Sequence, residues 1–290
     1  MLIGALEAGG TKMVCAIGDE KGNIIDRVQI PTESPDITMP LLIEFYKDKG
    51  IDALGIGCFG PIDPDKKSKT YGYITSTPKL AWRNYNIVKT FYDALNVPIG
   101  FGTDVNAAAL GEYTWGALFD CQVGLYITIG TGIGVGVCID GKPLHGLMHP
   151  EAGHIILSQH ANDDYEGICP YHFSCFEGLA SGPAIEGRYG KKAYELNNES
   201  EVWELEAYYI AQAIANYILC YSPVRIVLGG GVMHQEILFP LIRAKVKEYL
   251  NGYINSKFIL DDIDSYIVPP ALGDDAGIKG ALRLGHLALI

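Results

Sequence analysis

The stretch Ile3-Gly4-Ala5-Leu6-Glu7-Ala8-Gly9-Gly10-Thr11-Lys12-Met13-Val14-Cys15-Ala16-Ile17-Gly18-Asp19-Glu20-Lys21-Gly22 is echoed 120 residues later by Val123-Gly124-Leu125-Tyr126-Ile127-Thr128-Ile129-Gly130-Thr131-Gly132-Ile133-Gly134-Val135-Gly136-Val137-Cys138-Ile139-Asp140-Gly141-Lys142. Each copy reads as an apolar run, a Gly-Thr turn, a second apolar run and a charged turn carrying Gly22 or Gly141. Three positions are identical: Gly4 with Gly124, Gly10 with Gly130 and Thr11 with Thr131. Two of these pairs fall at the turn, where spacing fixes geometry, so the echo predicts a duplicated glycine hairpin. Two related lobes are expected, each opening on such a hairpin and facing the other across a cleft.

Outward from the hairpins, strand-like runs recur at residues 2–6, 13–17, 53–57, 97–101, 123–129, 134–139 and 225–228. Apolar residues at three and four spacing mark helices at 38–49, 87–95, 105–115, 201–221 and 235–250. Hairpins mixed with strand-helix alternation predict α/β lobes with partly parallel sheets. The longest uncharged run, residues 121–139, is nineteen residues and long enough to raise a membrane helix. Its five glycines favour two buried strands around a turn instead.

With 290 residues, 48% of them hydrophobic, the chain has apolar surface for two lobes, and bulk disorder is excluded. Lys and Arg number 22 against 34 Asp and Glu, and the net charge of −12 repels polyanions. Nucleic acid and anionic membrane are therefore not expected as partners. Seven scattered cysteines, an odd number, fit reduced thiols in a cytoplasm. The opening MLIGALEAGG has an acid at Glu7 and no basic residue before Lys12, unlike a signal peptide.

In the first hairpin, Gly9 and Gly10 would let backbone N–H groups approach an anion, with a hydroxyl from Thr11 and a compact charge from Lys12. An ordinary tight hairpin with a solvated lysine has the same sequence. The second, Gly130-Thr131-Gly132, offers the same choice, and finding both in one chain favours phosphate binding. Arg225-Ile226-Val227-Leu228 runs into Gly229-Gly230-Gly231-Val232, a strand end where a nucleoside could lie against backbone. Asp104, after another strand, could take a proton from a substrate hydroxyl or could cap the helix that follows. Cys169, His172 and Cys175 offer three soft ligands at even spacing, with His154 fifteen residues upstream, so metal binding is expected. His149 and His160 compete with His154 for the fourth place. Glu151 and Glu177 could face either solvent or a polyhydroxyl substrate.

Together these residues resemble the ROK family of sugar kinases, most closely its bacterial fructokinase branch. The likeness spans essentially the whole chain. It runs from Glu7–Lys12 through Gly57-Cys58-Phe59-Gly60-Pro61-Ile62-Asp63, Thr77-Pro78-Lys79, Asp104-Val105-Asn106, Pro150-Glu151-Ala152-Gly153-His154, the Cys169 to Cys175 cluster, Glu177, Ser181-Gly182-Pro183, Gly229 to Val232 and Gly273-Asp274-Asp275-Ala276-Gly277. The resemblance implies an actin-like, ribonuclease-H-like α/β fold, with an N-terminal lobe over residues 1–115. A C-terminal lobe over 116–274 would hold the zinc loop, and a last helix near 275–290 would pack back on the first lobe. It implies ATP-dependent phosphorylation of a hexose, fructose to fructose 6-phosphate, by a homodimer using Mg²⁺ and structural Zn²⁺. Asp104 takes the place of the catalytic base. Asn106, Glu151, His154 and Glu177 match substrate-binding positions, and His154, Cys169, His172 and Cys175 match the zinc ligands. Gly9, Gly10, Thr11, Lys12, Gly130, Thr131, Gly132, Pro183, Gly230, Gly231 and Val232 match the nucleotide-binding positions. Glu7 stands where many relatives have Asp, which leaves the Mg²⁺ arrangement open. Thr103 and Phe59 replace the Asn and Pro of glucokinase-like members, and Phe59 is expected to offer a ring face to the sugar. Kinases for mannose, glucose or N-acetylmannosamine share the pattern. Sugar-sensing regulators share the fold but carry a winged helix ahead of the first hairpin, and a silent sugar receptor would lack ATP turnover.

Overall fold

The computed structural model describes all 290 residues. They form two units: Met1–Phe119 with Gly141–His149 and Asp274–Ile290, and Asp120–Asp140 with Pro150–Gly273. The expected second lobe ran unbroken from residue 116; Gly141–His149 instead groups with the first unit.

In the first unit, the apolar runs of the opening stretch form β1 (Ile3–Ala8) and β2 (Lys12–Gly18), followed by β3 (Ile24–Pro31), helix α1 (Pro35–Tyr46) and β4 (Ala53–Cys58). A ribbon of β5 (Tyr73–Ile74) and β6 (Tyr85–Asn86) leads to α2 (Ile87–Leu95), β7 (Ile99–Thr103) and α3 (Asp104–Trp115). The main sheet has the order β3-β2-β1-β4-β7, antiparallel among the first three strands and parallel from β1 to β7. Side chains alternate across it. Leu6, Ala8, Met13 and Cys15 are buried with Met39 and Leu42 of α1 and Phe91 of α2, while Ile3, Ala5, Val14 and Ala16 pack on Ile278, Ala281 and Leu282 of the C-terminal helix (Ala276–Leu287).

That last helix sits at backbone contact. A Cβ on Gly280 would lie 1.6 Å from the Ala107 carbonyl oxygen of α3, and one on Gly55 of β4 would lie 1.8 Å from the Ala281 carbonyl oxygen. Only hydrogen atoms fit at these two positions, so the glycines set the depth to which the helix sinks.

The second unit repeats the strand order. β8 (Val123–Ile129), β9 (Ile133–Ile139), β11 (Arg225–Gly229) and β12 (Ile267–Val268) follow the order β9-β8-β11-β12, matching β2-β1-β4-β7 of the first; the two-residue strand β10 (Lys142–Pro143) falls in the segment that groups with the first unit. Its helices are α4 (Phe176–Ala180), α5 (Gly182–Tyr189), α6 (Ser200–Tyr221), α7 (Leu238–Leu250) and the short α8 (Lys257–Leu260) and α9 (Ile263–Tyr266). The long uncharged run is therefore the β8–β9 hairpin, and no helix of the chain is long and apolar enough to cross a membrane.

The two hairpins differ at their tips. Ala8 pairs with Met13, leaving four residues in the turn, whereas Ile129 pairs with Ile133, leaving three. The offset of 120 thus holds for the outgoing strands and slips by one on the incoming strands. β3 escaped the sequence pattern because it is an edge strand with only Ile30 buried. The helix expected from residue 235 begins at Leu238, and Gly231–His234 form a tight 3₁₀ turn ahead of it.

Candidate functional site

In the first unit, Ala8 pairs with Cys58 and Cys58 with Thr103, so three parallel strands end side by side. The turn after β1 and the start of α3 both leave from this edge, where open α/β sheets place ligands. One residue back, Glu7, Gly57 and Gly102 form a row. A Cβ on Gly57 would meet Ala107 Cβ at 2.7 Å and Asp104 Cα at 3.5 Å, so the glycine admits the first turn of α3 close to Glu7. Burial and the Asp104 carboxylate push the Glu7 carboxyl up to about 7, opposed by Arg27 and Lys12. Arg27 is itself paired with Asp275 at 2.6 Å.

The alternative role for Asp104, capping α3, belongs instead to Thr103, whose Oγ1 accepts from the Asn106 N–H at 3.1 Å. Asp104 is the first helical residue, and its Oδ1 accepts from the Val105 N–H at 2.8 Å. Asn106 is 2% exposed, and its Nδ2 has no hydrogen-bond partner. A buried amide donor without an acceptor is costly unless a ligand completes it. Phe59, expected to offer a ring face to the sugar, is 9% exposed and lies in the core edge-on to Trp82 at 6.0 Å between ring centres, so little of its ring reaches the surface.

The Gly9 N–H donates to the Lys12 carbonyl at 3.1 Å, and Thr32 fixes the turn from outside, its Oγ1 donating to the Gly9 carbonyl at 2.7 Å and its N–H to the Thr11 carbonyl at 3.0 Å. The N–H groups of Gly10 and Thr11 have no acceptor within the chain. Lys12 is exposed beside them.

The second unit repeats this arrangement. The Gly130 N–H donates to the Gly132 carbonyl at 2.9 Å, and the Gly130 carbonyl accepts from the Gly182 N–H at 2.8 Å. The N–H groups of Thr131 and Gly132 are left without acceptors. Gly182 and Pro183 open α5, whose cap is the Ser181 hydroxyl accepting from the Ala184 N–H at 3.3 Å. Gly230 has φ +90°, and a Cβ there would lie 2.4 Å from the Ile129 carbonyl oxygen, so the chain after β11 can run against the hairpin only with glycine. A Cβ on Gly130 would be 3.8 Å from the Gly231 nitrogen, and one on Gly182 would be 3.9 Å from Val232. The structure thus gathers Gly130, Thr131, Gly132, Pro183, Gly230, Gly231 and Val232 in one place.

Glu177 joins this hairpin to a Cys/His cluster. Its Oε2 accepts from the Ile133 N–H at 2.9 Å, and its Oε1 lies 3.9 Å from His154 Nε2. The other nitrogen of that ring, Nδ1, is 3.8 Å from Cys169 Sγ and 3.7 Å from Cys175 Sγ, while His172 Nδ1 is 3.6 Å from Cys169 Sγ. All four donor atoms fall within 4.8 Å of one another. Tetrahedral bonds of about 2.0–2.3 Å place ligand atoms roughly 3.3–3.8 Å apart, so the donor set fits a zinc-sized cation. The cluster is clamped by backbone pairing: Leu157 N–H donates to Ser174 O at 2.8 Å and Phe176 N–H to Ile155 O at 2.9 Å. Of the competing histidines, His160 stacks edge-on against Tyr208 and His149 belongs to the first unit; neither joins the cluster. Glu151 is exposed, its carbonyl accepting from the His154 N–H at 3.0 Å.

Two glycine hairpins, a carboxylate at a strand end and a Cys/His cluster that could hold a metal ion are thus set on two α/β sheets. The chain belongs to the ROK family, whose sequence model matches residues 3–287. A Bacillus subtilis (strain 168) relative is 54% identical over 288 residues, covering 99% of this chain and 96% of the relative. A fructokinase of Pediococcus pentosaceus is 44% identical, covering 100% of this chain and 99% of its own, and a fructokinase of Streptococcus mutans is 43% identical, covering 99% and 97%. Among solved structures, the ROK hexokinase from Thermus thermophilus superposes with a TM-score of 0.81 at 26% identity over 100% of this chain and 99% of that one. The expected two-lobed α/β sugar-kinase fold is the fold observed.

Proposed function

We propose that this chain is an ATP-dependent hexose kinase that converts fructose to fructose 6-phosphate. The observation that carries the reading is identity of 42–44% with fructokinases of three bacteria over almost the whole of each chain. ATP enters as its magnesium complex. Asp104, at the edge where β1, β4 and β7 end, takes the proton of the primary sugar hydroxyl as that oxygen attacks the γ-phosphorus in line. The bond to the β-phosphate oxygen breaks, and ADP leaves with the electron pair. The unsatisfied N–H pairs of Gly10 and Thr11, and of Thr131 and Gly132, supply fixed dipoles for phosphate oxygens, assisted by Lys12. Pro183 and Gly230–Val232 flank the adenosine.

Asn106, Glu151, His154 and Glu177 hold sugar hydroxyls in this reading. His154, Cys169, His172 and Cys175 would hold Zn²⁺, which is structural because four protein ligands leave no open position. The protein acts in the cytoplasm, which suits its seven unpaired cysteines, and as a homodimer, which sedimentation would check. A coupled ADP-release assay over a hexose panel tests the proposal. Fructose should give the highest kcat/KM, with mannose second and glucose poor. Glucose or N-acetylmannosamine equal to fructose would leave a sugar kinase of another branch, and no turnover with any hexose would overturn the reading.

A further inference from the structure

Lys79 is half-buried and bonded to no acid, yet it is not loosely placed. It precedes the turn Leu80–Trp82, whose Trp82 is 1% exposed and donates its Nε1–H to the Glu33 carbonyl at 2.7 Å. The Trp82 N–H returns to the Lys79 carbonyl at 2.9 Å, and Arg83 Nη2 donates to the Thr77 carbonyl at 3.2 Å. From this anchored turn the lysine side chain reaches the first hairpin. A methyl group on Gly10 would lie 2.9 Å from Lys79 Cε and 3.8 Å from Nζ. No carboxylate neutralises the ammonium, and it makes no side-chain hydrogen bond. An unpaired ammonium beside Gly10, in a turn where two adjacent backbone N–H groups lack acceptors, is an arrangement that a phosphate would complete. The charge is needed there, since Glu7 and Asp104 sit at the same sheet edge and repel an incoming anion.

We propose that Lys79 is a phosphate-contacting catalytic residue, its ammonium and the N–H groups of Gly10 and Thr11 together holding the transferred phosphoryl group. The absence of a side chain on Gly10 is then what lets the ammonium reach the hairpin. The proposal rests on the kinase reading above, and its test separates the two. Lys79→Met, Lys79→Arg and wild-type protein are compared in fructose turnover and in calorimetric binding of fructose, fructose 6-phosphate and inorganic phosphate. Lys79→Met should lower kcat by about 10²-fold, the usual loss for one group that stabilises developing charge. It should weaken fructose 6-phosphate and inorganic phosphate by about tenfold, and leave fructose affinity and the melting temperature unchanged. Lys79→Arg should recover part of the loss. Equal losses for fructose and fructose 6-phosphate would make Lys79 a sugar contact, and kcat and phosphate affinity within twofold of wild type would remove it from the site; either overturns the proposal. Wild-type protein that phosphorylates no hexose would sink the kinase reading alone, and the phosphate titrations would still decide Lys79.

Discussion

His154 faces two ways: its Nδ1 lies within 3.8 Å of both Cys169 Sγ and Cys175 Sγ, and its Nε2 lies 3.9 Å from Glu177 Oε1. A cation on Nδ1 places the ring proton on Nε2, so the imidazole becomes a donor aimed at Glu177 or at a hydroxyl beside it. In the proposed reading, a metal on Nδ1 would thereby set the polarity of the contact made by the far nitrogen of the same ring.

Purified protein should contain one zinc per chain by elemental analysis. Cys175→Ser should release it, lower the melting temperature and weaken fructose binding, because ligand loss removes binding energy that also orders the loop. Stoichiometric metal retained by the variant would refute the ligand assignment.

Asp104→Asn keeps the shape of the side chain and removes the base. Turnover should fall by about 10² to 10⁴ with fructose affinity nearly unchanged. Near wild-type kcat would remove Asp104 from the role of base.

Glu7 gives a pH signature. Its carboxyl titrates near 7 in the folded chain against an ordinary 4.5, so the native state binds more protons between these values. The Glu7 contribution to stability is whole below pH 4.5 and is lost as pH rises through 7. Glu7→Gln should lack this decline. In urea unfolding without nucleotide it should exceed wild type by up to about 3 kcal/mol at pH 8, the difference vanishing near pH 4.5. A pH-independent difference would show that Glu7 is not strained by burial and by Asp104.

Gly280→Ala would place a methyl group 1.6 Å from the Ala107 carbonyl oxygen, a contact that only backbone movement can relieve. Stability should drop by about 3 kcal/mol or more, read from the urea midpoint. An exposed-site control, Gly252→Ala, meets nothing within 4 Å and should lose much less, its cost coming from a φ of +73°.

The duplication was legible because both turns carry Gly-Thr between apolar runs, and the metal cluster because cysteine and histidine spacing is local. Ile87–Leu95 and Val123–Ile129 were readable to the residue, the first from helical periodicity and the second from an unbroken apolar run. What lay hidden was tertiary. That Thr103 rather than Asp104 caps α3 depends on where β7 stops, and the burial of Phe59 depends on Trp82 arriving from a distant turn. Lys79 is separated from Gly10 by 69 positions, and no periodicity links them; the signal is a glycine whose missing side chain is filled by something else.

The C-terminal helix also fixes an order of events during synthesis. Residues 120–140 and 150–273 complete the second unit before Ala276–Leu287 have been translated, whereas β1, among the first residues made, stays uncovered on one face until that helix arrives. The half of the protein that begins first is therefore finished last. A nascent chain stalled near residue 273 would carry a completed second unit beside an open sheet, with Ile3, Ala5, Val14 and Ala16 left for a chaperone to shield.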